Sequence, residues 1–215
     1  MRDLEIEAWT GPIVEPKISS SYLIEHGYAV PVDIELVQVQ TRELCREIKR
    51  LELSEERSGQ HYMRIRKAVA ECEERNKAIA KLVTQVPKPV LVLTSLVKHA
   101  NTLGELVRKV YDPSKIAVVT GVVKGEVRKK IFDDVRSGKI DILVATTLAD
   151  EGLDLPPLRS LVLTLGGKSR TRTLQRIGRL VRPFQGKDKA VVFDLCDDVP
   201  FFGSQCKERL ELYRT

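Results

Sequence analysis

Five short apolar runs, rich in β-branched residues, constrain the fold of this chain more than any other feature. Segments with helical periodicity separate most of them, at 97–110, 125–137 and 171–181. Such runs are typical of strands buried on both faces, and strands that alternate with helices are typical of parallel sheets. The sequence therefore predicts an α/β fold in which a doubly wound, mainly parallel sheet forms the middle of three layers. The predicted strands are 90–93, 116–119, 142–145, 161–165 and 190–193.

The region before the first run carries weaker periodic signals. Apolar residues alternate over 32–40 and predict a further strand, while 41–53 has the pattern of a short capped helix. The spacing over 61–85 predicts one longer helix, and 19–28 has the pattern of a short helix that ends at a glycine. We therefore expect a linker with a short helix at the start of the chain.

Composition limits the class of protein. No apolar run approaches the roughly 20 residues that a membrane span needs, and the first five residues lack the apolar centre of a signal peptide. The chain has 215 residues, of which 42% are hydrophobic, enough for a sizeable core. We interpret 1–30 as the linker with its short helix and 31–215 as one domain of a cytoplasmic protein.

The cysteines and histidines do not have metal-ligand spacing. There is no Cys-x-x-Cys pair, and the three histidines lie far from the cysteines in sequence. We expect four free thiols in a reducing compartment and no metal site. His99 has no acid or cysteine near it in sequence, which favours a packing or capping role over a catalytic one. The cysteines are Cys45, Cys72, Cys196 and Cys206.

Small and hydroxyl residues follow four of the predicted strands. Because ligands of open parallel sheets bind at the carboxyl ends of the strands, we expect these residues to share one functional edge. Backbone N–H groups are easily approached there, which suits phosphate binding, although the same residue types serve ordinary turns about as often. The residues are Thr94–Ser95, Thr120–Gly121, Thr146–Thr147 and Gly166–Gly167.

The segment 169–182, SRTRTLQRIGRLVR, has five arginines, no lysine and no acid. At helical spacing, one face holds arginines and a glutamine, and the apolar residues Leu174, Ile177 and Val181 lie on the opposite face. Arginine stays charged and binds phosphate with paired donors, so this face suits a polyanion; the alternative is a solvated basic face. Gly178 within the helix indicates a close approach. The polar face is Arg172, Gln175, Arg176, Arg179 and Arg182.

Two further segments invite a chemical interpretation. Gly166-Gly167-Lys168-Ser169 resembles the end of a phosphate-binding P-loop, but the required first glycine would be Val162. The acidic turn 150–154, DEGLD, could hold an acid/base pair or a metal, or could be an ordinary turn. Spacing alone does not decide between these two interpretations.

These residues together carry a family resemblance. Residues 144–156, VATTLADEGLDLP, resemble motif V of superfamily 2 helicases, and 175–182, QRIGRLVR, resemble their motif VI, Q-R-x-G-R-x-x-R. Residues 90–103 are similar to motif IV, and 121–138 resemble the segment that leads to motif V. The resemblance implies a recombinase-A-like lobe, the second of the two that form such a helicase.

The start of this lobe is also similar to one branch of the superfamily. Residues 23–28, LIEHGY, and 74–77, ERNK, resemble the branch that includes the XPB, RadD and UvsW helicases. The resemblance covers most of residues 10–195. The P-loop, acidic box and other motifs of the first lobe are not found in this sequence, so we expect the ATP-binding lobe to lie outside it.

The resemblance implies roles for particular residues. Arg179 and Arg182 match the arginine fingers that reach the γ-phosphate of ATP, and Gln175 and Arg176 match residues that support the phosphate and the contact between lobes. Gly152 and Asp154 match motif V positions that contact the nucleotide. Positions matching those that bind nucleic-acid phosphates are Thr94, Ser95, Gly121, Thr146 and Thr147.

The implied activity is ATP-dependent helicase or translocase action once this lobe joins its partner. ATP and Mg²⁺ would be held mainly by the first lobe, and the track would be nucleic acid, with DNA favoured over RNA and DNA repair as one setting. The net charge of +6 is compatible with this partner. Two alternatives remain: a non-catalytic nucleic-acid-binding domain, and a small phosphotransferase that uses the Gly166–Ser169 loop.

Overall fold

The computed structural model describes residues 19–39, 41–53, 60–146, 154–165, 167 and 169–214, without the side chains of Leu53 and Arg170. The strands are β1 (Val32–Val37), β2 (Val90–Thr94), β3 (Ile116–Val119), β4 (Ile142–Thr146), β5 (Ser160–Leu163) and β6 (Ala190–Leu195). The helices are α1 (Ser20–Glu25), α2 (Arg42–Leu53), α3 (Gln60–Glu71), α4 (Glu73–Gln85), α5 (Val97–Arg108), α6 (Gly125–Arg136), α7 (Arg170–Leu180) and α8 (Phe202–Tyr213).

The strands form one sheet in the order β1-β6-β5-β2-β4-β3, and every pair is parallel. All residues of β2, β4, β5 and β6 are buried, because helices cover both faces of the sheet. Each predicted strand is present, with ends that differ by a few residues from the prediction. The predicted doubly wound, three-layer α/β fold is therefore confirmed.

Two apolar clusters form the core, one on each face of the sheet. On one face Leu91 packs with Phe132 of α6 and Leu180 of α7. On the other face Val92 packs with residues of α4 and α5 such as Leu103. Adjacent residues of a strand point to opposite faces, so each strand supplies both clusters.

Helix α5 lies unusually close to strand β3. A Cβ atom on Gly104 would be 2.5 Å from Cγ2 of Val118, which no side chain larger than hydrogen could tolerate without movement. The close approach packs the middle of α5 directly on β3. The first turn of α5 carries His99, which contacts Thr94 at the end of β2.

The predicted single helix over 61–85 is wrong, because the chain breaks between α3 and α4. Cys72 has extended backbone angles, φ −62° and ψ 111°. The side-chain nitrogen of Asn76 donates to the carbonyl of Ala70, 2.8 Å away, and so caps the end of α3. The break lets α3 turn away from the sheet and pack with α2 and Phe202 in a third cluster.

The expectation of four free thiols is wrong for two of the cysteines. Cys196 and Cys206 form a disulfide that ties the end of β6 to α8, because the chain turns back and brings their Cα atoms within 5.5 Å. Cys45 and Cys72 are free. Within the described ranges, no helix is long and apolar enough to cross a membrane, and no group of three His, Cys, Asp or Glu could hold a metal ion.

Candidate functional site

The hydroxyl residues predicted to share an edge do lie together at the carboxyl end of the sheet. Thr94 of β2 is the register partner of Thr146 of β4, and Thr120 follows the end of β3 on the next strand. Ser95 beyond β2 is partly exposed, and Gly121 beyond β3 is exposed. Thr147 and Gly166 lie outside the described residues.

Thr94 is held by a buried network that begins at its hydroxyl. The Thr94 hydroxyl lies 2.7 Å from Nδ1 of His99, and Nε2 of His99 lies 2.9 Å from Oδ1 of Asn76. Because the nitrogen of the Asn76 amide donates to Ala70, its oxygen accepts the proton of Nε2. Nδ1 of His99 then accepts the Thr94 hydroxyl proton.

Burial controls the charge of this network. It lowers the pKa of His99 to about 3, with a smaller contribution from the positive charge of Arg75, so the imidazole is neutral at physiological pH. His99 is 2% exposed, which agrees with the packing or capping role expected for it. Thr94 is 1% exposed and Thr146 is 2% exposed, so both side chains lie beneath the surface of the edge. Of the described residues predicted for this edge, Ser95 is partly exposed, and Gly121 and Gly167 are exposed.

The arginine segment forms helix α7, which begins directly after its Ser169 cap. The Ser169 hydroxyl accepts from the backbone N–H of Arg172 at 3.3 Å. Thr173 is 3% exposed and Leu180 is 2% exposed, and these residues with the partly buried Ile177 fasten the helix to the core. The arginine face points outward, as predicted: Arg172, Gln175 and Arg182 are exposed, and Arg176 and Arg179 are partly exposed.

One expectation for this helix is wrong, and a second is not met within the described residues. Leu174 was expected on the apolar face but is 52% exposed, because Thr173 takes the inward position. Gly178 was expected to mark a close approach, yet no described atom lies within 4 Å of a Cβ placed there. Any close approach to Gly178 must therefore come from outside the described residues.

Asp154 and Arg182, which belong to two separate motifs, meet on the surface. The guanidinium of Arg182 donates to the carboxylate of Asp154, and the Asp154 carbonyl accepts from Arg136 at 2.7 Å. Both paired side chains are about half exposed, at 48% for Arg182 and 56% for Asp154. Gly152 lies outside the described residues. Asp154, at the start of the described range 154–165, is therefore joined directly to the end of the arginine helix.

Sequence reasoning missed Lys187, which fixes this junction from inside. Its ammonium group donates to the carbonyls of Pro156 at 2.9 Å, of Arg182 at 3.0 Å and of Leu180. Three N–H donors thus meet three acceptors, two of them at the end of α7. Burial, and to a lesser degree the charge of Arg159, lowers the pKa of Lys187 to about 8. A lone lysine outside any periodic segment gives no signal for such a role.

Two buried ion pairs flank the loop between β5 and α7. Arg75 donates to both carboxylate oxygens of Asp197, at 2.8 and 2.7 Å, and to the carbonyl of Thr164 at 2.6 Å. Arg209 of α8 donates to both oxygens of Asp194, at 2.6 and 2.9 Å. The pairs clamp α4 and α8 onto the ends of β5 and β6, and so frame the start of the arginine helix.

Comparison with known proteins gives concordant matches. The profile of the helicase conserved C-terminal domain matches residues 74–183. Putative helicase 22 of Sulfolobus islandicus filamentous virus is 30% identical over 97% of this chain and 38% of its own length. The ATP-dependent DNA helicase uvsW of Enterobacteria phage T4 is 29% identical over 87% of this chain and 36% of its own length.

A solved structure supports the same fold. The crystal structure of T4 UvsW matches with a TM-score of 0.66 and 24% identity, over 86% of this chain and 39% of that chain. The present chain thus spans less than two fifths of the length of each of these relatives.

Proposed function

The chain belongs to the helicase conserved C-terminal domain family of superfamily 2, and from this premise we propose that it is the C-terminal motor lobe of an ATP-dependent nucleic-acid helicase. The observation that carries the proposal is the surface junction of Asp154 with Arg182. Helix α7 presents arginines to the outside at the same point where the motif V turn ends. That junction is half of an ATP site that a second lobe completes.

Arg179 and Arg182 are the arginine fingers of the proposal. In phosphoryl transfer, negative charge spreads over the oxygens of the γ-phosphate, and a guanidinium supplied across an interface stabilises it. Gln175 and Arg176 on the same face support the phosphate and the contact between lobes. The ion pair of Arg182 with Asp154 holds the guanidinium ready at the surface until a nucleotide offers stronger acceptors.

The nucleotide itself needs a second lobe. This sequence has no complete P-loop to hold the phosphates, and the described residues offer no acidic cluster for Mg²⁺. ATP and Mg²⁺ would therefore be held mainly by the partner lobe. Asp154, with Gly152 beside it in sequence, would contact the bound nucleotide from this side.

The carboxyl edge of the sheet is the surface that we propose binds the nucleic-acid strand. Ser95 and Gly121 offer accessible backbone and hydroxyl groups to phosphates, in contacts that are independent of sequence and sensitive to salt. Thr94 and Thr146 form the layer beneath, and Thr147 follows Thr146 in sequence. The names of the relatives, which include a DNA helicase, support DNA as the track. Closure on ATP and opening on release would move the lobe along it.

Substitution of a finger tests the proposal in the enzyme that joins this chain to its ATP-binding lobe. We expect Arg182→Ala to lower ATP turnover at least tenfold, about 1.4 kcal/mol of transition-state stabilisation, with little change in ATP affinity. The matched control is Arg108→Ala, which also removes an arginine from an exposed ion pair, here with Glu105. Turnover that is equal for both variants would reject the finger assignment.

The chain alone provides a second readout. Without a partner lobe we expect ATP hydrolysis no faster than background, with or without single-stranded DNA. Robust DNA-stimulated hydrolysis by the purified chain would instead favour a site complete within it.

A further inference from the structure

An apolar groove lies between helix α3 and the first turn of α5, outside the junction described above. Its volume is about 520 Å³, and its apolar lining comes from Met63, Ala70, Leu96 and Val97. Met63 is 52% exposed and Val97 is 42% exposed, so the apolar surface is open to a ligand. Concave apolar patches that are exposed to water usually mark binding sites.

The groove continues the carboxyl edge of the sheet. Leu96 and Val97 directly follow Ser95, and the guanidinium of Arg66 on α3 donates to the carbonyl of Ser95 at 3.3 Å. Helix α3 ends before residue 74, where the match to the family profile begins. The groove is therefore built half from a family element and half from an element outside the matched segment.

Positive charge surrounds the apolar lining. Among the described residues that line the groove, four are basic and one, Glu71, is acidic and pairs with Lys98 at 2.6 Å. The excess of three positive charges suits a polyanion, and the apolar floor suits flat, weakly polar groups. The basic residues are Arg64, Arg66, Lys67 and Lys98.

We propose that this groove binds bases of single-stranded nucleic acid, with the adjacent phosphates held by Arg64 and Lys67. The inference rests on the proposed helicase function. It extends the nucleic-acid-binding surface from Ser95 onto α3. A single strand fits both features, because its bases are free to enter an apolar groove while its phosphates stay in water at a basic rim. In a duplex, pairing keeps the bases out of reach of the groove. Recognition through base surface and phosphate charge is independent of sequence.

The apolar part of the proposal is tested with the purified chain and two fluorescent strands of 12 nucleotides, oligo-dT and the same length with abasic sites. We expect Met63→Ala to weaken binding of oligo-dT by about fivefold, because an apolar contact with a base is lost. The same variant should bind the abasic strand as the unaltered chain does. Met63 is largely exposed, so its truncation should spare the fold.

The charged part is tested by a salt titration of oligo-dT affinity. We expect the double variant Arg64→Ala/Lys67→Ala to weaken binding of both strands and to make the dependence of log affinity on log salt shallower by about 1. The matched control is Lys109→Ala/Lys139→Ala, which removes two positive charges at the opposite edge of the sheet. The control should leave the slope within about 0.3 of the original value.

The outcomes separate this inference from the proposed function. Oligo-dT binding by the unaltered chain, with no effect of either groove variant, overturns the groove and leaves the edge at Ser95 and Gly121 as the track. Equal losses of Met63→Ala on oligo-dT and on the abasic strand overturn the placement of bases in the groove. Failure of the unaltered chain to bind either strand at low salt counts against the nucleic-acid track as a whole.

Discussion

The basic residues of this lobe fall into two groups that differ in burial. Arg75 is fully buried, and Arg209 is 4% exposed, and each donates to both oxygens of one aspartate. The arginines of α7 face outward, and the ion pair of Arg182 is about half exposed. The same side chain thus serves as an internal clamp in one region and as a surface donor in the other.

This difference shows how one lobe can keep a stable core and still present arginines that are available to bind a ligand. A buried arginine that is paired with a carboxylate is costly to remove, because its partner would remain as an uncompensated charge. An arginine at the surface contributes little to folding, because water screens its ion pair, and it can therefore change partners when a ligand arrives. Substitution of a buried arginine should therefore lower stability, whereas substitution of an exposed arginine should lower activity with little loss of stability.

The largest expected effect is on the buried clamp. We expect Arg75→Met to lower the free energy of unfolding by about 3–5 kcal/mol, because the carboxylate of Asp197 stays buried without its partner. Chemical denaturation of the purified chain measures the change. The matched control is Arg172→Met on the exposed face of α7, for which we expect less than about 0.5 kcal/mol. Equal losses of unfolding free energy in the two variants would contradict the view that burial decides which arginines stabilise the fold.

An intermediate effect is expected from pH, through the histidine next to that clamp. The folded-state pKa of His99 is about 3, below the unfolded value near 6.5, so the unfolded chain binds more protons between these limits. This contribution to stability is therefore complete above pH 6.5 and is lost as pH falls towards 3. At pH 4 we expect a loss of about 3 kcal/mol, at roughly 1.4 kcal/mol per pH unit.

Denaturation curves at pH 7 and pH 4 check this expectation. His99→Gln, which cannot titrate, should lose clearly less stability than the unaltered chain over the same interval. A loss of the same size in the variant would show that other groups cause the acid sensitivity.

The smallest expected effect is on the exposed pair. We expect Asp154→Ala to change the free energy of unfolding by less than about 1 kcal/mol, because the pair is about half exposed to water. Thermal unfolding of the purified chain measures it. A loss as large as that of Arg75→Met would mean that the pair is part of the clamp and not a surface donor.

Local pattern predicted the elements that depend on near neighbours in sequence. A run such as 142–145 is apolar throughout because helices cover both sides of its strand, and that requirement is visible in the run itself. The outward face of α7 follows from the spacing of Arg172, Arg179 and their neighbours, because the helix repeat is local. The packing role of His99 was also predictable, from the absence of any acid or cysteine near it in sequence.

Other features depended on contacts between distant residues and escaped prediction. The break at Cys72 arises because Asn76 caps the end of α3 and because α3 packs on α2 and α8. The apolar spacing over 61–85 contains no signal for either contact. Leu174 points outward and Thr173 inward, because the packing of α7 on the core sets the rotation of the helix. The Cys196–Cys206 disulfide follows from the return of the chain after β6.

The sequence by itself determined the buried strands, their alternation with helices and the outward row of arginines, because each depends on the spacing of residues close together in the chain. The tertiary structure decided which basic groups are buried clamps. Arg75 and Asp197 lie 122 residues apart, and Lys187 reaches Pro156 from 31 residues away. Whether a charge is paired in the core or offered to a ligand depends on which distant groups surround it, and only the folded chain brings those groups together.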